Sequence, residues 1–128
     1  MKAKMARHAL HFTTLLGLLS LLLFFAESCL SAEPIKIAAI FAQSGKAKLS
    51  NQAAVRGVRL AVEEINQAGG VLGAPLELLL FDNESTPIGS HLAAEKAAKA
   101  GVAALIGAAW SSHSLAIAKV AQARKIPM

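Results

Sequence analysis

Cysteine occurs once in the 128 residues, tryptophan once, and tyrosine not at all. The lone cysteine, Cys29, excludes a disulfide within the chain. Acids are scarce as well, 8 against 13 lysines and arginines. Much of that basic excess is local: without residues 1–32, which hold Lys2, Lys4, Arg7 and Glu27, ten basic and seven acidic residues remain, a net charge of +3. Those bases are scattered along the chain and form no cluster interleaved with aromatic residues, which argues against a nucleic-acid partner.

Catalytic signatures are missing too. There is no Gly-x-x-x-x-Gly-Lys run, no Gly-x-Gly-x-x-Gly after a strand, no nucleophile elbow and no metal-ligand spacing. His113 has no acid near it in sequence. No enzyme activity, cofactor or metal is expected, and binding is favoured over catalysis.

What the chain does have is apolar residues, 55 % of the total, crowded into its beginning. Lys2, Lys4 and Arg7 precede a run from Thr13 to Phe25 that is almost wholly apolar, too short for the roughly 20 residues of a membrane span. A basic region followed by such a run predicts a signal peptide over residues 1–32 and hence export. Ala26 and Ser28 fit a cut before Cys29; a cut after Ser31 or Ala32 fits as well. A cut before Cys29 would expose that residue to lipidation, although Glu27 departs from the usual lipoprotein signal.

From Ile35 onward short apolar runs alternate with helical patterns. Strands are expected over 35–41, 76–81 and 102–106, and helices over 51–68, 87–100 and 111–124. The first helix should turn Ala54, Val55, Val58, Ala61, Val62 and Ile65 inward, with Gly69-Gly70 ending it. Thr86-Pro87 reads as an N-cap followed by proline at the first helical position. His91, Glu95 and Lys99 fall on the wet face of the second helix. Ile126-Pro127-Met128 opens a fourth strand, so the reading is of an incomplete lobe over residues 33–128. Nearly continuous apolar strands alternating with helices predict an α/β fold, a parallel sheet with helices on both faces.

In such sheets ligands bind outside the carboxyl ends of the strands. That selects Ala42–Ser50, Asp82–Thr86 and Gly107–Ser112. Ser111 and Ser112 stand at a helix start, where free N–H groups and the helix dipole favour an anion; the plainer reading is that one of them only caps the helix. Trp110 beside them walls a pocket or fills space. Lys46 and Lys48 read as solvated loop charges, and Asp82-Asn83-Glu84 as a polar turn in preference to a cation cage.

The blocks Ile35-Lys36-Ile37-Ala38-Ala39-Ile40, Ser44-Gly45, Gly57–Asn66, Gly69-Gly70-Val71-Leu72-Gly73, Phe81-Asp82, Gly107 and Ile126-Pro127-Met128 together resemble the start of the periplasmic branched-chain amino-acid-binding proteins. The resemblance covers Glu33–Met128. It implies the Rossmann-like first lobe of a type I periplasmic-binding-protein fold, in a two-lobed receptor that closes on an amino acid or small amide and delivers it to the membrane permease of an ABC importer. It also implies that Ser111 holds the ligand's carboxylate, with Ser112, Ala109, Trp110 and Ser44 as further ligand-site residues. The segments that bind the ammonium group in this family correspond to sequence after Met128. The first loop, which often places a bulky residue over the ligand, here reads Lys48-Leu49-Ser50-Asn51. A sensor domain of a signalling receptor is the alternative use of the same lobe.

Overall fold

The structure, a computed structural model, describes residues 32–128. The signal peptide expected upstream, with Cys29, lies outside the described residues. Six elements alternate: β1 (Ile35–Phe41), α1 (Lys48–Gln67), β2 (Leu76–Asp82), α2 (Pro87–Lys99), β3 (Ala104–Gly107) and α3 (Ser111–Arg124). Among the described residues no helix is long and apolar enough to cross a membrane.

The three strands form one parallel sheet in the order β2-β1-β3. β1 is central, and its Ala38, Ala39 and Ile40 are wholly buried. On one face Ala38 and Ile40 pack with Leu105, with Ala93, Ala94 and Ala97 of α2, and with Ile117, Val120 and Ala121 of α3. The small alanine side chains let α2 lie close to the sheet. Cutting the fully buried Ile117 to alanine would cost about 2–5 kcal/mol. Leu79 and Phe81 join the same cluster, so Leu78, one residue before Leu79 in the strand alternation, points to the opposite face. There it lies beside Val62 of α1. Helices therefore cover both faces, as an α/β reading requires.

Several boundaries differ from expectation. α1 begins at Lys48, three residues before Asn51, because Ala47 serves as its N-cap and its carbonyl accepts from the Asn51 backbone N–H at 3.1 Å. Ala61 and Ile65, expected to face inward, are exposed. Among the described residues α1 packs chiefly against β1 and β2, so a narrow stripe around Val62 suffices to cover them. Val102 is buried but lies outside the ladder, which starts at Ala104. Thr86 does cap α2, accepting from the Gly89 N–H at 2.8 Å. Glu95, expected on the wet face of α2, pairs there with Arg124 at 2.9 Å, a half-exposed pair of small energetic weight. Ile126–Met128 forms no strand; instead the Leu105 N–H donates to the Pro127 carbonyl at 2.9 Å, so the chain runs beside β3 through one bond.

Candidate functional site

The register fixes where a site can form. Phe41 pairs with Asp82 and Ile40 with Gly107, so all three strands finish level and their exit loops lie side by side. From β1 the chain moves to one side, to β2, then crosses back to β3 on the other side. That reversal places a topological switch point between the ends of β1 and β3, where open parallel sheets bind ligands.

The β2 loop organises its neighbours. One oxygen of Asp82, Oδ1, accepts from the backbone N–H groups of Gln43 (2.8 Å), Ser44 (3.2 Å) and Glu84 (2.8 Å). Burial raises the Asp82 carboxyl, but a hydrogen bond from the Ser44 side chain and those from the three N–H groups outweigh it, and the net effect holds it below its usual value. Glu84 and Ser85 are both left-handed, with φ of 53° and 56°. This turn brings the buried Ser85 hydroxyl back onto the first loop, where it accepts from the Ala47 N–H at 2.9 Å and donates to the Ser44 carbonyl at 2.7 Å. Asn51 completes the clamp: its carbonyl oxygen accepts from Ala42 N–H at 3.3 Å, and its amide donates to the Ala47 carbonyl at 3.0 Å.

Asn83 reaches the other way. It is fully buried, its Oδ1 accepts from the Ser85 N–H at 3.0 Å, and its Nδ2 lies 3.3 Å from His113 Nδ1 on α3. With Oδ1 occupied by an N–H, Nδ2 is the donor and the imidazole Nδ1 the acceptor. The His113 ring in turn lies against Trp110, centroids 5.2 Å apart and planes tilted by 55°. The oxygens of Asp82 and Asn83 thus serve as acceptors for backbone N–H groups, and among the described residues no group of three His, Cys, Asp or Glu is arranged to hold a metal.

At the start of α3 the N-cap is Trp110, with extended backbone and no side-chain cap. The reading in which Ser111 or Ser112 caps this helix is therefore incorrect: both lie within its first turn. The Trp110 carbonyl accepts from the N–H groups of His113 (3.0 Å) and Ser114 (2.9 Å). The earlier N–H groups, on Ser111 and Ser112, have no partner within the helix. Both serines, with Ala109 and Trp110, are exposed at the edge of the sheet. Ser114 steadies the approach, its hydroxyl accepting from the Ala108 N–H and donating to the Ala108 carbonyl, each at 3.0 Å. Gly107 comes so close to the Ile40 carbonyl that an added Cβ would collide with it.

Of the residues expected at a site, Ala109, Trp110, Ser111 and Ser112 come together on one junction. Ser44 lies on the same edge, but its N–H, carbonyl and side chain are taken up by Asp82 and Ser85. Lys48 lines a cavity of about 360 Å³ with Ala42, Gln43, Gln52, Val55 and Arg56, beside the first loop. A larger hollow, about 660 Å³, runs along α1 past Arg59, Asn66 and Leu78, away from the strand ends; no residue of the three loops lines it, so the loop edge, chosen by topology, is the better site. Asn51, Ser85 and the Asn83–His113 contact escaped the sequence. Each bridges 30 or more residues or lies inside a helix start, and no local pattern marks such pairs.

The sequence matches the periplasmic binding protein family over residues 34–128. A leucine-, isoleucine-, valine-, threonine- and alanine-binding protein of Pseudomonas aeruginosa is 34 % identical over 90 residues, 70 % of this chain and 24 % of that protein. Among solved structures, the substrate-binding protein of a branched-chain amino-acid transporter from Streptococcus pneumoniae, in complex with isoleucine, superposes with a TM-score of 0.71 at 32 % identity, covering 73 % of this chain and 27 % of that one. A leucine-binding protein from Thermotoga maritima gives 0.67 at 36 %, covering 73 % and 26 %. The chain spans about a quarter of the length of these relatives. Superposing on these structures and carrying the family's sequence from residue 34 to residue 128, the chain belongs to the periplasmic binding proteins, among those of the branched-chain amino-acid type.

Proposed function

We propose that this chain supplies the carboxylate-binding lobe of an exported receptor that captures an amino acid of the branched-chain type, or a related small amide, and presents it to the membrane permease of an ABC importer. One observation carries the reading: α3 starts at the switch point with Trp110 as its cap, leaving the N–H groups of Ser111 and Ser112 and their hydroxyls at the edge of the sheet. An anion there gains from the N–H donors and from the helix dipole together. In this reading Ser111 donates to the carboxylate, Ser112 supports it, Ala109 and Trp110 wall the ligand, and Ser44 closes the rim from the first loop. Three relatives, one binding leucine, isoleucine, valine, threonine and alanine, one in complex with isoleucine and one a leucine-binding protein, support the ligand class.

Residues 1–32 act as the signal peptide in this reading, and the protein works in the periplasm without catalysing a reaction. A thermal-shift screen of the full-length protein against amino acids, small amides and small carboxylates tests it. A ligand that binds only the folded state raises the melting temperature with concentration, and aliphatic amino acids are expected to give the largest rise. No response from any compound would overturn the reading.

A further inference from the structure

The site as proposed uses Trp110, Ser111 and Ser112 but leaves unexplained what holds them in place. Trp110 has no side-chain capping bond to make, and as an exposed aromatic at a loop end it has a wide choice of orientation. Two buried groups behind it narrow that choice. His113 is 4 % exposed and Asn83 0 %, and they meet at 3.3 Å through Asn83 Nδ2 and His113 Nδ1. Asn83 is itself fixed at both ends of its side chain and along its backbone, since its carbonyl accepts from the Thr86 N–H at 2.9 Å and its N–H donates to the Phe41 carbonyl at 3.3 Å.

We infer that Asn83 and His113 are a positioning pair for the ligand site: Asn83 fixes the imidazole, and the imidazole fixes the indole of Trp110 and the first turn of α3. The inference rests on the ligand reading above for its effect on binding, but not for the contact itself. A buried amide and a buried imidazole can each be satisfied in few ways, so their pairing selects one rotamer of each. The His113 ring then offers the Trp110 indole a single tilted packing surface at 5.2 Å. Because His113 is the third residue of α3, its fixed side chain also sets the height and rotation of the turn that carries the Ser111 and Ser112 N–H groups.

Two substitutions at one position separate the parts. His113→Asn keeps an acceptor near the place of Nδ1 and removes the ring; His113→Leu removes both and leaves the Asn83 amide buried without a partner. In the full-length protein, isoleucine and leucine affinities measured by calorimetry are expected to fall roughly tenfold or more in His113→Leu, the scale of one lost buried hydrogen bond carried into the site. His113→Asn, which keeps the anchor of the turn but lacks the ring against Trp110, is expected to recover only part of that loss. A His113→Leu protein that melts earlier but binds with unchanged affinity would reduce the pair to a structural role and overturn the inference. So would equal losses in the two variants.

A second readout needs no ligand. The Trp110 contribution to fluorescence, obtained by difference against Trp110→Phe, is expected to shift in His113→Asn because the ring beside the indole is gone. An unchanged emission would overturn the contact whatever the binding result. If the wild-type protein binds neither isoleucine nor leucine, the ligand reading fails while this optical test still decides the positioning. It also stands if His113→Leu does not fold.

Discussion

The hydroxyl of Ser85, on the β2 loop, donates to the carbonyl of Ser44 on the first loop at 2.7 Å while accepting from the Ala47 N–H. Though Ser44 and Ser85 are 41 residues apart in sequence, the two loops are held as one surface by this group. Ser85→Ala leaves the buried Ala47 N–H without its acceptor, and unfolding in denaturant should show a loss of about 1–3 kcal/mol. A change within a few tenths would mean that water replaces the hydroxyl without cost.

Gly45 faces that serine across the same junction. Its φ is 73°, and a Cβ placed there would lie 2.7 Å from Ser85 Oγ and 2.9 Å from Ser85 Cβ. Gly45→Ala combines left-handed strain with a steric conflict, and should destabilise by roughly 1–3 kcal/mol. Paired with Ser85→Gly, which removes the obstructing side chain, the losses should add to less than their sum, a departure that a double-mutant cycle measures.

Asp82 gives a prediction in pH. Its carboxyl is held below the usual value of 3.8, burial opposing and the bonds from Ser44, Gln43 and Glu84 prevailing. A group depressed on folding contributes its stability above the unfolded value, and the contribution is lost as pH falls from there through the folded value. Melting temperature followed downward from pH 6 should therefore drop below about pH 4 more steeply in the wild type than in Asp82→Asn. Parallel curves would remove Asp82 from the account of loop order.

Gly107 makes the strictest demand on sequence. Its φ is 140°, a conformation suited to glycine, and the Ile40 carbonyl occupies the space a side chain would need. Gly107→Ala should cost roughly 3 kcal/mol or more and should displace the loop that carries Ala109 and Trp110. Near-wild-type stability in chemical unfolding would contradict the close approach of β3 to β1.

Much of this architecture was legible in the residues because it is local. Thr86-Pro87 announces the start of α2, and the apolar run from Ile35 to Phe41 announces a strand buried on both faces. α3 occupies 111–124, as its pattern predicts. The failures are failures of context. Ala61 and Ile65 continue the periodicity of α1 but run off the edge of what two strands can cover. The serines of α3 look like caps, yet the extended backbone at Trp110 takes that place. Asn83 looked like part of a polar turn, which it is, but its amide also reaches a histidine thirty residues away. No spacing rule signals such a contact; only the level ends of β1, β2 and β3 create it.

In the proposed site the start of α3 holds a carboxylate through Ser111. Calorimetric titration of isoleucine into the full-length protein and its Ser111→Ala variant tests this most directly. A hydrogen bond to a charged group is worth about 1.5–3 kcal/mol, which corresponds to roughly tenfold to a hundredfold in affinity. Ser111 is exposed at the first turn of its helix and caps nothing, so the melting temperature of the unliganded variant should stay with the wild type. Tight binding by the wild type and that loss in the variant are the expected results. Equal affinities in the two proteins would contradict this role of Ser111.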